Sequence, residues 1–420
     1  MKVCVIGNGG REHALAWRLS ISPSVTKVYA IPGSAAMSDC AELVGIDWQQ
    51  SDHLIRFLKD NHVDLVVVGP EAPLVAGLAD ALNVAGIPVF GPSKAAAQLE
   101  GSKVFAKDLM KKYNIPTAAY GVFHKVDEAK EFIAQTGAPI VVKADGLAAG
   151  KGVVVAMTVE EANAAVEDML SGNRFGEAGS TVVIEEFMEG EEASLLAFVD
   201  GKTVVPMIAS QDHKRIFDGD KGPNTGGMGT YAPAPVLTDT LRDEAMKTIL
   251  EPMVEAMQKE GMPYVGCLYA GLMITPQGPK VVEFNARFGD PETQVVLPLL
   301  DSDLGQIMMA SATGTLTADM VKWKDSSAAC VILASKGYPE TSSKGDVIHG
   351  DIKQHDTTIV FHSGTKLVGD EYVTNGGRVL GVVGLGKDLR TALDRAYGRI
   401  EHIDFEGMQY RTDIGAKAFK

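Results

Sequence analysis

The sequence is poor in cysteine, in aromatic residues and in positive charge. Only 6% of its residues are aromatic, and its four cysteines are scattered without the spacing of a metal site. Such sparse cysteine use favours a reducing compartment over a disulfide framework, so a cytoplasmic location is expected. The 39 basic residues are outnumbered by 54 acidic ones, which gives a net charge of -15. Because nucleic-acid phosphates require a basic surface, nucleic acid is not expected as the main partner.

Long hydrophobic runs are also missing from the sequence. No stretch of about 18 apolar residues occurs, so no membrane partner is expected. What the sequence does contain is length and glycine: 420 residues, of which 45 are glycine. A chain of this length exceeds one hydrophobic core, so two to four domains are expected. The many glycines and few aromatics favour an α/β enzyme with tight loops.

The order of the predicted elements divides the chain into three parts. Residues 1–101 alternate short apolar strands with helices, which predicts a Rossmann-like, doubly wound parallel sheet. Ligands of such sheets bind at the carboxyl ends of the strands. Residues 102–325 carry α+β patterns, with a smaller unit at about 117–190, and residues 326–420 predict a small C-terminal α+β domain. The predicted fold class is therefore α/β and α+β, in several domains.

The first glycine-rich loop reads Gly7-Asn-Gly-Gly-Arg-Glu-His13. It resembles a dinucleotide fingerprint, but Glu12 occupies the third glycine position, and no acidic residue ends the second strand to hold a ribose hydroxyl. An NAD enzyme is therefore disfavoured. The N–H groups of Gly9 and Gly10 at a helix start predict an anion site for a phosphorylated small substrate. A tight turn without a ligand is the alternative.

The second glycine-rich segment reads Lys143-Ala-Asp-Gly-Leu-Ala-Ala-Gly-Lys-Gly152 and lies between two predicted strands. It is not a P-loop, because the glycine spacing is one residue short and a strand follows instead of a helix. A glycine-rich connection of this kind is typical of a mobile flap over phosphates. Lys143 ends a buried strand, where a cation is costly without an anion, and a phosphate oxygen would satisfy it. The alternative is a hairpin with solvated lysines.

The most specific chemistry follows the apolar strand that begins at Val281. Glu283, Asn285 and Arg287 alternate along it, so their side chains are expected on one face. Carboxylate and amide oxygens suit Mg²⁺, and an arginine can stabilise a phosphoryl or acyl-phosphate oxygen beside the metal. A strand end with solvated polar residues is the alternative. No Ser/His/Asp or Cys/His arrangement is found, which disfavours covalent catalysis, and His213 fits a substrate-binding role and a structural role equally well.

Together these motifs resemble the ATP-grasp superfamily and, within it, the phosphoribosylamine–glycine ligase family. The resemblance covers essentially the whole chain, and its motifs are long and specific. They are Asn8-Gly-Gly-Arg-Glu-His13, Gly69-Pro-Glu-Ala-Pro-Leu74, the segment Lys143 to Gly152, Gln211-Asp-His-Lys-Arg215, Gly222-Pro-Asn-Thr-Gly-Gly-Met-Gly229 and Asn285-Ala-Arg-Phe-Gly-Asp-Pro-Glu-Thr-Gln294.

The resemblance implies an ATP-grasp fold, with a lid at about 117–190, between the N-terminal sheet domain and the C-terminal domain. It also implies the ligation of glycine to 5-phosphoribosylamine in de novo purine biosynthesis. ATP would phosphorylate the glycine carboxylate to glycyl phosphate, and the amine would then displace phosphate to give glycinamide ribonucleotide and ADP. The implied partners are these small molecules together with Mg²⁺, for which Mn²⁺ is the alternative. A monomer is expected.

The resemblance further assigns roles to single residues. Lys103 and Lys143 would hold the ATP phosphates. The adenosine part would be held by Glu185, Glu186, Met188 and, at the ribose hydroxyls, Glu192. Glu283 and Asn285 would carry the metal. Catalysis would rest on Arg287, Lys143 and Asp212. The ribosyl phosphate would meet Gly9, Gly10 and Glu71, and glycine and the amine would lie among Asp212, Lys214, Thr225 and Asp290.

One departure from the wider superfamily concerns the metal. Many ATP-grasp enzymes have a further acidic ligand on the preceding strand, where this chain reads Tyr269-Ala-Gly-Leu-Met273, and Ala270 is expected at that position. Two other functions remain open. One is an ATP-dependent carboxylate–amine ligase with a different amine, and the other is a non-catalytic nucleotide sensor. The intact set of Lys143, Glu283 and Arg287 argues against the sensor.

Overall fold

The structure, a computed structural model, describes residues 1–148, 150–172 and 174–420. Its N-terminal part is a parallel sheet in the order β3-β2-β1-β4-β5. The strands are β1 (Lys2–Gly7), β2 (Lys27–Pro32), β3 (Glu42–Leu43), β4 (Leu65–Val68) and β5 (Val89–Phe90). The helices are α1 (Gly10–Ser20), α2 (Ser51–Asp60), α3 (Glu71–Ala76) and α4 (Leu78–Val84). The central strands are buried runs of apolar residues, which confirms the predicted doubly wound sheet.

The helical stretch between β4 and β5 is two helices. Helix α3 ends and α4 begins at Gly77, whose φ of +95° lies in the left-handed region that glycine adopts without steric cost. Helix α3 begins directly after β4 and carries Glu71 in its first turn, at the carboxyl edge of the sheet.

Two helices then lead to a small unit with its own core. They are α5 (Gln98–Gly101) and α6 (Lys103–Lys112), and the Ser102 hydroxyl caps α6 by accepting from the Phe105 N–H at 3.1 Å. The small unit has an antiparallel sheet in the order β6-β9-β7-β8. Its elements are β6 (Tyr120–Phe123), α7 (Val126–Thr136), β7 (Ile140–Ala144), β8 (Val153–Ala156), α8 (Val159–Ser171) and β9 (Val182–Glu186). The helices close a separate apolar cluster over one face of the sheet.

The central sheet is antiparallel, in the order β11-β10-β16-β17. Its strands are β10 (Glu191–Asp200), β11 (Val204–Pro206), β16 (Val265–Thr275) and β17 (Gly278–Asn285). Strands β12 to β15 lie between β11 and β16 in the chain and belong to other sheets. The helices that pack near it are α9 (Asp239–Ala245), α10 (Glu251–Lys259), α11 (Thr293–Val296) and α12 (Leu304–Thr313). A π-helical segment, Met246–Leu250, joins α9 to α10, so the helical stretch from Asp239 to Lys259 is continuous but irregular.

The C-terminal sheet crosses the domain boundary expected at residue 326. Its order is β12-β15-β18-β24-β21, in which β12 (Gln211–Asp212) and β15 (Gly229–Ala232) precede that boundary. The strands β13 (Arg215–Phe217) and β14 (Lys221–Asn224) form a hairpin between them. The remaining elements are β18 (Ser327–Ala334), β19 (Lys344–Val347), β20 (His349–Gly350), β21 (Thr358–His362), β22 (Thr365–Val368), β23 (Glu371–Asn375), β24 (Arg378–Gly386), α13 (Leu389–Ile400) and β25 (Ile403–Asp404). The shared sheet therefore fixes Asp212 next to the C-terminal part.

Among the described residues, no helix is both long enough and apolar enough to cross a membrane.

Candidate active site

A cleft of about 870 Å³ opens where the N-terminal, central, small and C-terminal parts meet. It is lined by nearly every residue that the sequence predicts to bind a substrate, ATP or a metal. Its wall includes Glu71, Lys103, Lys143, Glu185, Glu186, Met188, Glu192, Asp212, Lys214, Thr225, Glu283, Asn285, Arg287 and Asp290. Gly9 and Gly10 do not line it. Residues more than 200 positions apart are thus brought to one cavity, as a shared site requires.

Glu283 and Asn285 lie at the end of β17, with their side chains on the cleft side. Burial on its own raises the pKa of Glu283, but the cations Lys214, Lys143 and Lys103 outweigh it and hold this pKa below its ordinary value. Glu283 is therefore a carboxylate at neutral pH. With the amide of Asn285 it offers hard oxygen donors beside three cations.

The position across from Glu283 on the neighbouring strand is Gly271, not Ala270. The register of β16 and β17 pairs Gly271 with Glu283 and Ala270 with Phe284. Directly opposed residues share a face, so Ala270 points to the apolar core, where it is fully buried. The expectation for Ala270 is wrong by one residue, because a slip of one residue exchanges the two faces of a strand. A third acidic ligand is missing at Gly271 all the same.

Arg287 follows the end of β17 and is held by two carboxylates. Its guanidinium lies 2.9 Å from Glu100 and 3.3 Å from Glu71. Burial works to lower the pKa of Arg287, but these two anions raise it well above its ordinary value, so the charge is kept. Glu71, predicted to meet the ribosyl phosphate, is therefore an ion-pair partner of Arg287 in this structure.

Lys143 is paired with a carboxylate of the protein. Its Nζ lies 3.0 Å from Oε2 of Glu185, and Nζ of Lys107 lies 3.4 Å from the same oxygen. All three side chains are almost fully buried. The anion that offsets the burial of Lys143 in this structure is therefore Glu185, which pairing of β7 with β9 brings beside it. Burial lowers the pKa of Lys107 to about 8.

The glycine-rich segment leaves the end of β7 and is tied to the start of α6. The Lys103 N–H donates to Oδ1 of Asp145 at 2.6 Å, and the Lys103 Nζ donates to the carbonyl of Gly146 at 3.0 Å. Residues 146–148, 150 and 152 face the cleft, which is where a flap over phosphates is expected. Ala149 of the predicted flap lies outside the described residues. Burial lowers the pKa of Lys103.

The N-terminal glycine loop does not present a vacant helix start. The Gly9 N–H donates to Oε2 of Glu12 at 2.8 Å, so a protein carboxylate already occupies part of the predicted anion site. Glu12 fits in the third glycine position because it packs on two other glycines: a Cβ on Gly7 or Gly69 would lie 2.4 or 2.3 Å from its side chain. Gly9 lines a second cavity, of about 470 Å³, together with residues 363–367 of the C-terminal part.

The loops predicted to surround glycine and the amine meet the C-terminal part. Arg378 donates to the carbonyls of Gly226 and Asp290, each at 2.9 Å, and lies 3.6 Å from the Asp290 carboxylate. The Thr225 hydroxyl donates to the Lys214 carbonyl at 2.8 Å, so it also shapes its own loop. These contacts hold Asp290 and the loop at 224–227 together at one end of the cleft.

His213 has a structural role here. Its Nδ1 is 3.0 Å from the Gly229 carbonyl, and its Nε2 accepts from the Gly415 N–H at 3.2 Å. Burial lowers the pKa of His213 to about 4, so the ring is neutral with both nitrogens engaged. The substrate-binding alternative for this residue is therefore disfavoured.

Several cleft residues escaped the sequence analysis: Arg11, Glu100, Lys107, Glu292 and Arg378. Lys107 could have been found, because it lies one helical turn after Lys103 and so shares its face. Arg11 and Glu292 stand inside quoted motifs. Glu100 and Arg378 carry no local signal, since only the tertiary fold brings them to Arg287 and Asp290.

Comparison with known proteins agrees with this architecture. Three family models match successive parts of the chain: phosphoribosylglycinamide synthetase N domain at residues 1–100, its ATP-grasp (A) domain at 101–293 and its C domain at 328–417. A phosphoribosylamine–glycine ligase of Halalkalibacterium halodurans is 53% identical over 418 residues, covering 100% of this chain and 97% of that protein.

Two further relatives also match nearly the whole chain. The phosphoribosylamine–glycine ligase of Neisseria meningitidis serogroup A is 53% identical over 421 residues, which cover 100% of this chain and 99% of that one. The crystal structure of the phosphoribosylamine–glycine ligase of Thermotoga maritima superposes with a TM-score of 0.87 at 34% identity, over 99% of this chain and 100% of the other. The chain belongs to the phosphoribosylglycinamide synthetase family, the ligases that join phosphoribosylamine to glycine.

Proposed function

We propose that the cleft ligates glycine to 5-phosphoribosylamine at the expense of ATP, as a step of de novo purine biosynthesis. Glycine would first be phosphorylated on its carboxylate, with ADP as product. The amine of phosphoribosylamine would then form the C–N bond and release phosphate, giving glycinamide ribonucleotide. Such chemistry depends on positioning and on neutralising charge more than on acid–base groups.

The observation that carries this proposal is the meeting of Lys103, Lys143 and Arg287 with the oxygen donors of Glu283 and Asn285 in one cleft. Three cations suit the phosphates of a nucleotide and of an acyl phosphate. Two oxygen donors beside them suit a cation that bridges phosphates. A nucleotide sensor would need no such metal-binding strand.

The donor set fits Mg²⁺. Glu283 keeps its charge, and both donors are hard oxygens that face the cleft, so they would hold the metal, with Mn²⁺ as the alternative. Bound there, the metal would neutralise charge on the ATP phosphates. Phosphates and water would complete its coordination, because Gly271 brings no ligand.

The other predicted residues have separate roles for the different parts of the substrates. In this proposal Lys103 and Lys143 hold phosphates, Glu186 and Met188 lie beside adenine, and Glu192 takes the ribose hydroxyls. Glu185 acts through Lys143, whose ammonium it holds at 3.0 Å. Arg287 neutralises the acyl phosphate. Asp212, Lys214, Thr225 and Asp290 surround glycine and the amine. Glu71 on the cleft wall and, outside the cleft, Gly9 and Gly10 meet the ribosyl phosphate.

The direct test is ADP formation by the purified chain. We expect ADP only when ATP, glycine, phosphoribosylamine and Mg²⁺ are all present, and we expect a chelator to stop turnover until the metal is restored. Equal turnover with other amino acids would refute the glycine assignment, and turnover with another amine would favour a different carboxylate–amine ligase. ATP binding without turnover under any of these conditions would favour a sensor. The cytoplasmic location and the monomeric state stay predictions.

A further inference from the structure

A buried carboxylate joins the short helix α5 to the end of strand β17. It belongs to Glu100, and only 8% of this side chain is exposed. Its two oxygens contact two consecutive residues: Oε2 accepts from the Ala286 N–H at 2.8 Å, and Oε1 lies 2.9 Å from the guanidinium of Arg287. One side chain therefore holds both the backbone and a side chain of the segment that follows β17.

The contact with Ala286 begins where the strand pairing ends. Strand β17 ends at Asn285, and the last pair in its register with β16 is Tyr269 with Asn285. Ala286 is buried and lies beyond this register, so the Glu100 carboxylate satisfies an N–H group that the sheet does not. Glu100 therefore sets the direction in which the chain leaves β17, and Arg287 is the next residue.

Arg287 has a second carboxylate that could keep it charged without Glu100. Its Nε lies 3.3 Å from Oε2 of Glu71, whose side chain is 31% exposed. Burying a further carboxylate costs desolvation free energy, and apolar side chains at such places are often at least as stable. The two carboxylates also differ in what they hold: Glu71 contacts the guanidinium, whereas Glu100 contacts the guanidinium and the backbone beside it. Glu100 therefore fixes the guanidinium relative to β17.

Glu100 is also close in the chain to Lys103, which is predicted to hold the ATP phosphates. Helix α5 ends at Gly101, Ser102 caps α6, and Lys103 is the first residue of α6. Lys103 and Arg287 both line the cleft. A short piece of chain and one ion pair thus connect the two cations. Transfer of a phosphoryl group from ATP to a carboxylate needs such groups in fixed relative positions, since a displacement of about 1 Å can cost on the order of 100-fold in rate.

We propose that Glu100 is a positioning residue, which fixes Arg287 relative to Lys103 so that the arginine meets the acyl phosphate as the phosphoryl group is transferred. This inference rests on the proposed function and adds Glu100 to its residues. Glu100 acts through Arg287, and Arg287 meets its ligand only as the acyl phosphate forms. The orientation of Arg287 therefore affects the transition state more than the binding of ATP or glycine.

The test is steady-state kinetics of Glu100→Gln, made in wild type and in Arg287→Ala. The amide keeps the size of the side chain but turns an NH2 group toward one of two donors, the Ala286 N–H or the guanidinium, so Arg287 must move. In wild type we expect kcat to fall by about 10- to 100-fold, with KM for ATP and for glycine within about 2-fold. Glu255→Gln, on the exposed face of α10, is the matched control and should leave kcat unchanged.

The Arg287→Ala background separates positioning from a purely structural role. There Glu100→Gln should lower the residual kcat by less than about 3-fold, because no guanidinium is left to position. An equal loss in both backgrounds would assign Glu100 to the stability of the fold and overturn the proposal. A rise in KM for ATP or glycine with kcat unchanged would overturn it as well.

A crystal structure of Glu100→Gln gives a readout that needs no activity. We expect the Arg287 guanidinium to be displaced from its place beside β17, and a guanidinium that stays in place overturns the proposal. Should Glu100→Gln fail to fold, Glu100→Asp takes its place in both measurements. It keeps the charge but withdraws it by one methylene, so the expected loss in kcat is smaller, about 3- to 10-fold. Wild type without glycine-dependent ADP formation would instead refute the proposed function, wherever Arg287 lies in the variant.

Discussion

The individual residues of the cleft differ in whether a charged partner already holds them. Lys143 and Arg287 are held by Glu185, Glu71 and Glu100. Such pairs keep the cations charged and oriented, and a substrate phosphate would have to compete with the carboxylates for them. Glu283 has cations around it but sits at the predicted metal position, so it is the residue whose loss tests that position most directly.

Replacing Glu283 by Ala should abolish turnover while the fold survives. The side chain borders the cleft, so its removal leaves no cavity in a core. It does remove a carboxylate from beside Lys214, Lys143 and Lys103, so the free energy of unfolding should fall by about 0.5–3 kcal/mol. The measurement pairs ADP formation with thermal unfolding. Glu255→Ala, an exposed position, is the control. Retained activity of Glu283→Ala in Mg²⁺ would show that the metal strand is misassigned.

Asp212 predicts a pH dependence of stability. Its pKa is raised from 3.8 to about 7 by burial and by Glu292, so the folded state holds a proton that the unfolded state has lost. This contribution is complete below pH 4 and is lost as the pH rises through 7. Asp212→Asn should therefore gain stability relative to wild type as the pH rises from 4 to 8, and in a chain of 420 residues each kcal/mol raises Tm by about 1–2 °C.

Thermal unfolding of both proteins at pH 4.5 and pH 8 checks this expectation. Asp60→Asn, at an exposed position in α2, is the control and should show no such difference. A Tm difference between Asp212→Asn and wild type that stays the same at both pH values would contradict the raised pKa.

At the level of elements, the junction of β1, β4 and α1 is set by Glu12. Sequence reasoning treats Glu12 as a failed third glycine, but its side chain lies between Gly7 and Gly69, caps Gly9 and is held by Arg11 at 2.8 Å. The glycines that matter for close packing are therefore at the strand ends, Gly7 as the last residue of β1 and Gly69 directly after β4. A sequence pattern for the loop alone could not reveal this, because Gly69 is more than 50 residues away.

Gly69→Ala should consequently destabilise the N-terminal part. A Cβ there would lie 2.3 Å from Oε1 of Glu12, and the carboxylate cannot move without losing its contacts to Gly9 and Arg11. Overpacking of this kind should lower the free energy of unfolding by about 1–3 kcal/mol. Gly45→Ala is the matched control, since nothing lies within 4 Å of its Cβ. Urea unfolding measures both, and equal stability of the two variants would contradict this account of Glu12.

At the scale of the whole molecule, the C-terminal segment helps to build the cleft. The fully buried Arg411 donates to both oxygens of Asp413, at 2.7 and 2.8 Å, and at 2.9 Å to Asp220 in the β13–β14 hairpin. Lys417 lies 2.9 Å from Asp220 and lines the cleft. The hairpin that follows Asp212 is therefore anchored to the last residues of the chain.

Arg411→Ala should loosen this anchor. The loss of this buried, charged side chain and its hydrogen bonds should lower the free energy of unfolding by about 2–3 kcal/mol. The loss is not larger because the acidic partners are partly exposed and regain water. Urea unfolding checks the loss, and Arg411→Lys should recover a part only, since an ammonium lacks the planar fork. Arg242→Ala, which removes an exposed pair, should have little effect. Unchanged stability of Arg411→Ala would contradict the anchoring role.

The sequence by itself determined the fold class, the family and most of the residues that meet in the cleft. It could do so because strand alternation, glycine-rich turns and the Glu283–Asn285 spacing are local properties of the chain. The tertiary structure alone decided which charges are paired: Glu185 with Lys143, Glu100 with Arg287, and Arg378 with Asp290. It also decided that Gly271 faces Glu283 and that strands β12 and β15 join the C-terminal sheet. These outcomes depend on strand register and on contacts between residues far apart in the chain, which no local pattern encodes.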